Sequence, residues 1–121
     1  MSMTILTVDD SRTMRDMLKL ALEGEGFCVV QAEDGVHGLE VLEDAAADVI
    51  ITDINMPRMD GFGFIEGVRG HPQHRGTPIL VLTTESDPAK KDRARQAGAT
   101  GWIVKPFNPS KLAEAIRRVA A

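Results

Sequence analysis

The chain has one cysteine, one tryptophan, four phenylalanines and no tyrosine among its 121 residues. A single Cys28 excludes an internal disulfide and fits a reducing compartment. Its neighbours Phe27, Val29 and Val30 read it as core filler rather than as a nucleophile. No apolar run approaches the ~20 residues needed to cross a bilayer. Asp9 and Asp10 interrupt the N-terminal region before a secretion signal can form. The expectation is a cytoplasmic protein with no membrane partner. Histidine is also scarce. His71 and His74 lie in the polar stretch from Gly70 to Pro78, where both are expected in solvent rather than on a metal.

What is present is ordinary for a globular domain: 43% hydrophobic and 26% charged residues. The length suits one domain, residues 1–121, with a single real core. The net charge of −4 is unevenly spread. Six Lys/Arg face sixteen Asp/Glu from Met1 to Asp87, whereas eight face two from Pro88 to Ala121. A basic tail of this kind suits docking to an acidic partner.

Apolar periodicity sets out five strands and five helices in alternation. The strand runs are Ile5–Val8, Phe27–Val30, Val49–Thr52, Ile79–Thr83 and Gly101–Val104. Between them, Met14, Met17, Leu18, Ala21 and Leu22 recur at helical spacing, as do Leu39, Leu42 and Ala46. Phe62, Ile65 and Val68 mark a third helix, and Leu112, Ala115, Ile116 and Val119 a fifth. The fourth, after Asp87-Pro88, has only Ala89, Ala94 and Ala97 on an otherwise basic segment. Alternation of this kind predicts an α/β fold with a parallel sheet covered on both faces.

Polar residues close four of the five strands: Asp9 and Asp10, Asp53, Thr83, and Lys105. In a parallel sheet these ends share one edge, where open α/β folds bind ligands. Carboxylates about 4 Å apart repel by ~4 kcal/mol per pair at an effective dielectric of ~20. Three of them with one ammonium call for a cation, and all-oxygen donors select a hard ion such as Mg²⁺ over zinc. A carboxylate beside such an ion can attack a phosphoryl group and form an aspartyl phosphate.

With Asp9-Asp10, Asp53, Met56-Pro57-Arg58-Met59-Asp60-Gly61, Thr83 and Lys105-Pro106-Phe107 in place, the sequence resembles the receiver domain of two-component response regulators. The likeness runs along essentially the whole chain, and is strongest to the single-domain chemotaxis regulators. It implies a flavodoxin-like five-stranded sheet in the order 2-1-3-4-5, an order known for this family and not deducible from spacing. It also implies a stand-alone receiver with no output domain, monomeric, which is a phosphorylated signalling protein rather than an enzyme acting on a separate substrate. By position, Asp53 would accept the phosphoryl group. Asp10, Asp53 and the Asn55 carbonyl would bind Mg²⁺ directly, and Asp9 through water. Lys105 would hold phosphoryl oxygens, with its bond to Pro106 cis. Thr83 would bond the phosphoryl group and move on activation. Asn55 and Glu85 would border the path of the hydrolytic water.

Trp102 departs from the family, which usually has Tyr or Phe there. Two readings stay open: an indole that turns inward from solvent on activation, or a fixed structural tryptophan. The implied donor is a chemotaxis-type sensor histidine kinase. The implied target, reached through the basic fourth helix, fifth strand and fifth helix, is the flagellar motor switch or another protein. A phosphate sink or phosphorelay shuttle is the alternative within this class. A haloacid-dehalogenase-type phosphatase is disfavoured, because Asn55 occupies the place of the second, proton-transferring Asp. A flavodoxin-like cofactor module is disfavoured because Asp9-Asp10 would repel a phosphate. Nucleic-acid binding lacks a recognition helix pair.

Overall fold

The computed structural model describes residues 2–121. Its elements are β1 (Thr4–Val8), α1 (Arg12–Gly24), β2 (Cys28–Ala32), α2 (Gly35–Asp44), β3 (Val49–Thr52), α3 (Gly61–Gly70), β4 (Ile79–Thr83), α4 (Pro88–Ala97), β5 (Gly101–Val104) and α5 (Pro109–Ala120). All neighbouring strands pair in parallel, in the order β2-β1-β3-β4-β5. The sheet order and the five helices match the flavodoxin-like expectation.

Side-chain alternation divides the core. Ile50, Ile79 and Val81 point to the face covered by α2, α3 and α4, where they meet Leu42, Phe64, Ile65, Val68 and Ala94. Val49, Ile51, Leu80 and Leu82 point to the other face, against Leu18 and Leu22 of α1 and Leu112 and Ile116 of α5. β3 and β4 are buried at every position, which explains their continuous apolar runs. Each such side chain withdrawn from water contributes roughly 1.5–3 kcal/mol before its entropy cost.

Every helix starts just beyond a strand's carboxyl end, and each start is capped. Ser11, Asp34, Asp60, Asp87 and Asn108 accept a backbone N–H from the first turn of α1, α2, α3, α4 and α5 respectively. Pro88 and Pro109 follow two of these caps at the first helical position. Strand ends and helix starts thus lie along one edge of the sheet.

Several expectations give way to packing. Cys28 is exposed. It opens an edge strand, and Phe27 and Val29 on either side of it turn to the α1–α5 core. Ala46 lies outside α2 and is exposed, and Ala47 is buried in its place. Met17 is half exposed on the outer side of α1, and only Ala94 is fully buried on α4. His74 is buried rather than solvated. The cause is Arg69, whose guanidinium donates to the carbonyls of His74, Arg75 and Thr77 and to that of Gly98. The polar loop wraps around this cation and folds His74 inward, onto the Thr77 hydroxyl and beside the His71 ring.

Burial, together with the neighbouring His71, holds the His74 pKa below its ordinary 6.5. His74 is therefore neutral in the fold but free to protonate when unfolded. Stability is present above pH 6.5 and falls as pH drops through 6.5 toward the lower folded value. Urea midpoints measured from pH ~7 to ~5 should fall, and His74→Gln should flatten that slope. An unchanged slope would place its origin elsewhere.

Candidate functional site at the carboxyl edge of the sheet

The backbone ladder runs one residue past β1, β3 and β5. Asp9 N–H donates to Ala32, Asp53 N–H to Val8, and Lys105 N–H to Thr83, at 3.1, 2.9 and 2.8 Å. These bonds fix where three functional side chains begin. The chain then turns away from the edge at Gly61. A Cβ there would collide with the Asp53 carbonyl, so only glycine lets α3 start this close to the strand end. The Gly61 N–H bonds the Ile54 carbonyl at 2.8 Å and closes the turn.

The centre of the site is one ammonium between two carboxylates. Lys105 Nζ lies 2.9 Å from Asp9 Oδ2 and 2.8 Å from Asp53 Oδ2. The side chains are 11, 3 and 12% exposed respectively, so little solvent screens them. The second oxygen of each carboxylate accepts a backbone N–H: Ser11 to Asp9 at 2.9 Å, Ile54 to Asp53 at 2.6 Å. Arg15 donates to the Asp9 carbonyl at 2.7 Å. Burial raises the Asp9 pKa, and the charge of Asp53 adds to this against the bonds from Ser11 and Lys105. For Lys105, burial alone would lower the pKa. Its bonds to Asp53 and Asp9 outweigh that and leave it raised, so the amine stays charged.

Asp10 completes the cluster from an exposed position. One oxygen from each of Asp9, Asp10 and Asp53 lies within 4.8 Å of the others. Lys105 leaves an excess of two negative charges, which a divalent ion would neutralise. The donors are all hard oxygens, and Asp10 is open to water, so the residues fit an ion that keeps part of its hydration shell. Asn55 is exposed in the loop after β3, and among the described residues its carbonyl accepts no hydrogen bond.

Thr83 is fully buried, and its Oγ1 accepts the Glu85 N–H at 3.3 Å. The Glu85 carboxylate is paired with Lys90 at 3.2 Å, toward α4. Trp102 is half-buried against the α2–α4 core, and its indole N–H donates to the Glu85 carbonyl at 3.1 Å. It therefore does not stand in solvent here. The Lys105–Pro106 bond is cis, as expected. The expected site residues thus sit on the loops of this one edge or at the strand ends beside them, except Trp102, which lies within β5 opposite Val81. The sequence reading did not find Arg15 at the Asp9 carbonyl, nor an ion pair between Asp34 and Arg58. No spacing rule links partners 24 residues apart; the capping pattern at Asp34-Gly35 was the only local signal.

Comparison with known proteins agrees with this geometry. The family model for the response regulator receiver domain matches residues 5–117. The chain belongs to that family. It is 43% identical over 120 residues to the chemotaxis protein CheY1 of Helicobacter pylori, covering 97% of this chain and 96% of that protein. It is 38% identical to a probable chemotaxis protein CheY of Rhizobium etli, over 95% of this chain and 90% of that one. Among solved structures, chemotaxis protein CheY4 of Vibrio cholerae superposes with a TM-score of 0.94 at 46% identity, covering 98 and 99% of the two chains. The receiver domain of a sensor histidine kinase from Pseudomonas aeruginosa, solved with magnesium in its active-site cleft, superposes at 0.91 with 25% identity, over 99 and 98% of the chains. This receiver domain is therefore a homologue of the single-domain chemotaxis regulators, with an acidic cluster suited to a metal. Among the described residues no helix is long and apolar enough to cross a membrane.

Removing Lys105 leaves two mostly buried carboxylates uncompensated. Lys105→Met should destabilise the metal-free protein by about 3 kcal/mol, read by urea denaturation in EDTA. Asp10→Asn should stabilise it, by less than ~1 kcal/mol because Asp10 is exposed. A neutral effect of Lys105→Met would contradict the desolvated bridge.

Proposed function

We propose that the chain is a stand-alone response regulator that accepts a phosphoryl group on Asp53 and thereby changes its affinity for a target. The observation that carries this is Lys105 held between Asp9 and Asp53, beside the buried Thr83 hydroxyl, in a receiver fold. The likeness to CheY1 along 96% of that protein supports this reading.

In this reading an Asp53 carboxylate oxygen attacks the phosphorus of a phosphohistidine on a sensor kinase. The new O–P bond forms as the P–N bond breaks, and the electron pair returns to the donor imidazole. Lys105 is already within bonding distance of Asp53, so its ammonium can follow the charge onto the phosphoryl oxygens without reorganising. Asp10, Asp53 and the Asn55 carbonyl would hold Mg²⁺ directly, and Asp9 through water. When bound, the ion neutralises phosphoryl charge. Return to the resting state is attack by water on the same phosphorus, releasing the Asp53 carboxylate. Asn55 and Glu85 flank that approach. The chain thus catalyses its own transfer and hydrolysis rather than turning over a separate substrate.

The Thr83 hydroxyl donates to a phosphoryl oxygen once one is present, which withdraws it from the Glu85 N–H. Glu85 also carries the bond from Trp102. Any switch by Trp102 therefore begins from a half-buried indole with its N–H paired, and acts through the β4–α4 loop.

The target would dock on α4, β5 and α5. Lys90 is paired with Glu85 and Arg93 is stacked on Phe62, 4.0 Å from the ring centroid, which leaves Lys91 and Arg95, the latter bound to Asp92 at 2.6 Å, as the outward cations on α4. They flank a cleft of about 200 Å³ that reaches Trp102. By family likeness the target is the flagellar motor switch.

Asp53→Asn should abolish base-labile labelling from acetyl phosphate or a phosphorylated kinase; undiminished labelling would reject the assignment. Lys91→Glu and Arg95→Glu should each weaken target binding several-fold at ~0.1 M salt while leaving labelling intact. Affinity indifferent to both charge and salt would reject an electrostatic docking face.

A further inference from the structure

Beyond the acidic edge, one more carboxylate is almost wholly withdrawn from water. Asp34 is 4% exposed and is gripped by both arms of Arg58, Nε to Oδ2 at 2.7 Å and Nη2 to Oδ1 at 3.1 Å. Arg58 is the dominant cause that holds the Asp34 pKa below the usual carboxylate range. Oδ1 also caps α2 through the His37 N–H. Asp34 ends the β2–α2 connection, whereas Arg58 sits in the middle of the β3–α3 loop, three residues beyond Asn55.

A second tie lies alongside. The Gly35 N–H donates to the Met59 carbonyl at 3.2 Å, and a Cβ at Gly35 would come within 2.7 Å of Met59 Cγ. At its base the same loop is closed by Gly61 on Ile54. Among the described residues Arg58 is the one non-glycine residue in the left-handed region, with φ +65°. A side-chain-bearing residue stays there only where its surroundings impose it. The Met59 N–H closes a tight turn around Arg58 on the Pro57 carbonyl at 2.7 Å, and Asp34 holds the side chain that this turn presents.

We propose that Asp34 and Arg58 form a positioning latch that pre-orders the β3–α3 loop for the cation, so that the Asn55 carbonyl is presented without further ordering. The proposal rests on the phosphoacceptor reading only in taking Asn55 as a ligand. Its physical basis is that a loop already ordered need not lose its freedom on binding, which raises the affinity for the ligand it serves. Neither residue belongs to the Asp9, Asp10 and Asp53 cluster or bonds Lys105.

The sign of the effect is diagnostic. Removing a positive charge near an acidic site would, through electrostatics alone, tighten binding of a cation. Loss of the latch should instead weaken it. In the full chain, Mg²⁺ titrations followed by amide chemical shifts should show Arg58→Gln raising the dissociation constant about tenfold, the lower end of what outer partners of metal ligands are worth. Asp34→Asn keeps an oxygen to cap α2 and should also weaken binding; electrostatics alone would act in the same direction there, so this variant is read through its coupling with Arg58→Gln. The double variant should be no weaker than the weaker single variant. With acetyl phosphate, the Mg²⁺ concentration for half-maximal labelling should rise while the plateau rate stays close to the parent's. An unchanged or lower dissociation constant in either variant, additive effects, or a lost plateau rate would overturn the latch. If the parent's own Asp9, Asp10 and Asp53 amides ignore Mg²⁺, the phosphoacceptor reading fails and takes the latch with it. If the parent responds and the variants match it, the latch alone fails.

Discussion

The Lys105 ammonium between Asp9 and Asp53 is the interaction on which the functional edge depends. Charges this poorly solvated are costly unless paired, and removing one partner leaves the others uncompensated. The bridge joins the ends of β1, β3 and β5, which are 44 and 52 residues apart along the chain. It lets two carboxylates stand side by side, and it still leaves a negative excess that a divalent ion would neutralise. Folding and chemistry place opposite demands on this cluster, and the lysine meets both.

The parallel sheet makes the bridge possible. Continuous apolar strands bury both faces, and polar groups are admitted only where the strands end. Capping residues then start each helix at once, so five loops crowd one edge. Gly61 brings α3 close against Asp53, and Thr83 closes β4 beneath the same loops. Around this rim the loops are tied to each other: Trp102 to Glu85, Asp34 to Arg58, Gly35 to Met59. The site is anchored at its base by the strand ladder, and its loops are linked to one another at its rim.

That surface is asymmetric in charge. The acidic excess lies in the first 87 residues, and the basic excess falls on α4, α5 and their connections. α4 is held by one fully buried alanine and by the stack of Arg93 on Phe62. Of all the helices it has the least apolar anchorage, so it is the element that a change at Thr83 and Glu85 can displace at the lowest cost.

Much of this was legible in the chain itself. Apolar runs of four or five residues ending in Asp, Thr or Lys, followed by capping residues and prolines, determine a parallel α/β domain with an acidic, cation-suited cluster at one edge. Such signals are local, and local physics decides them. What sequence could not decide were relations between distant residues. Whether His74 is solvated depends on Arg69 gathering the carbonyls of a whole loop around itself. Cys28 is exposed because its strand lies at the sheet's edge, and that place is set by pairing order rather than by its apolar neighbours. Trp102 is half-buried because the Glu85 carbonyl, 17 residues away, accepts its N–H. The pairing of Asp34 with Arg58 needs two loops to meet, and two loops meet only when the sheet has assembled.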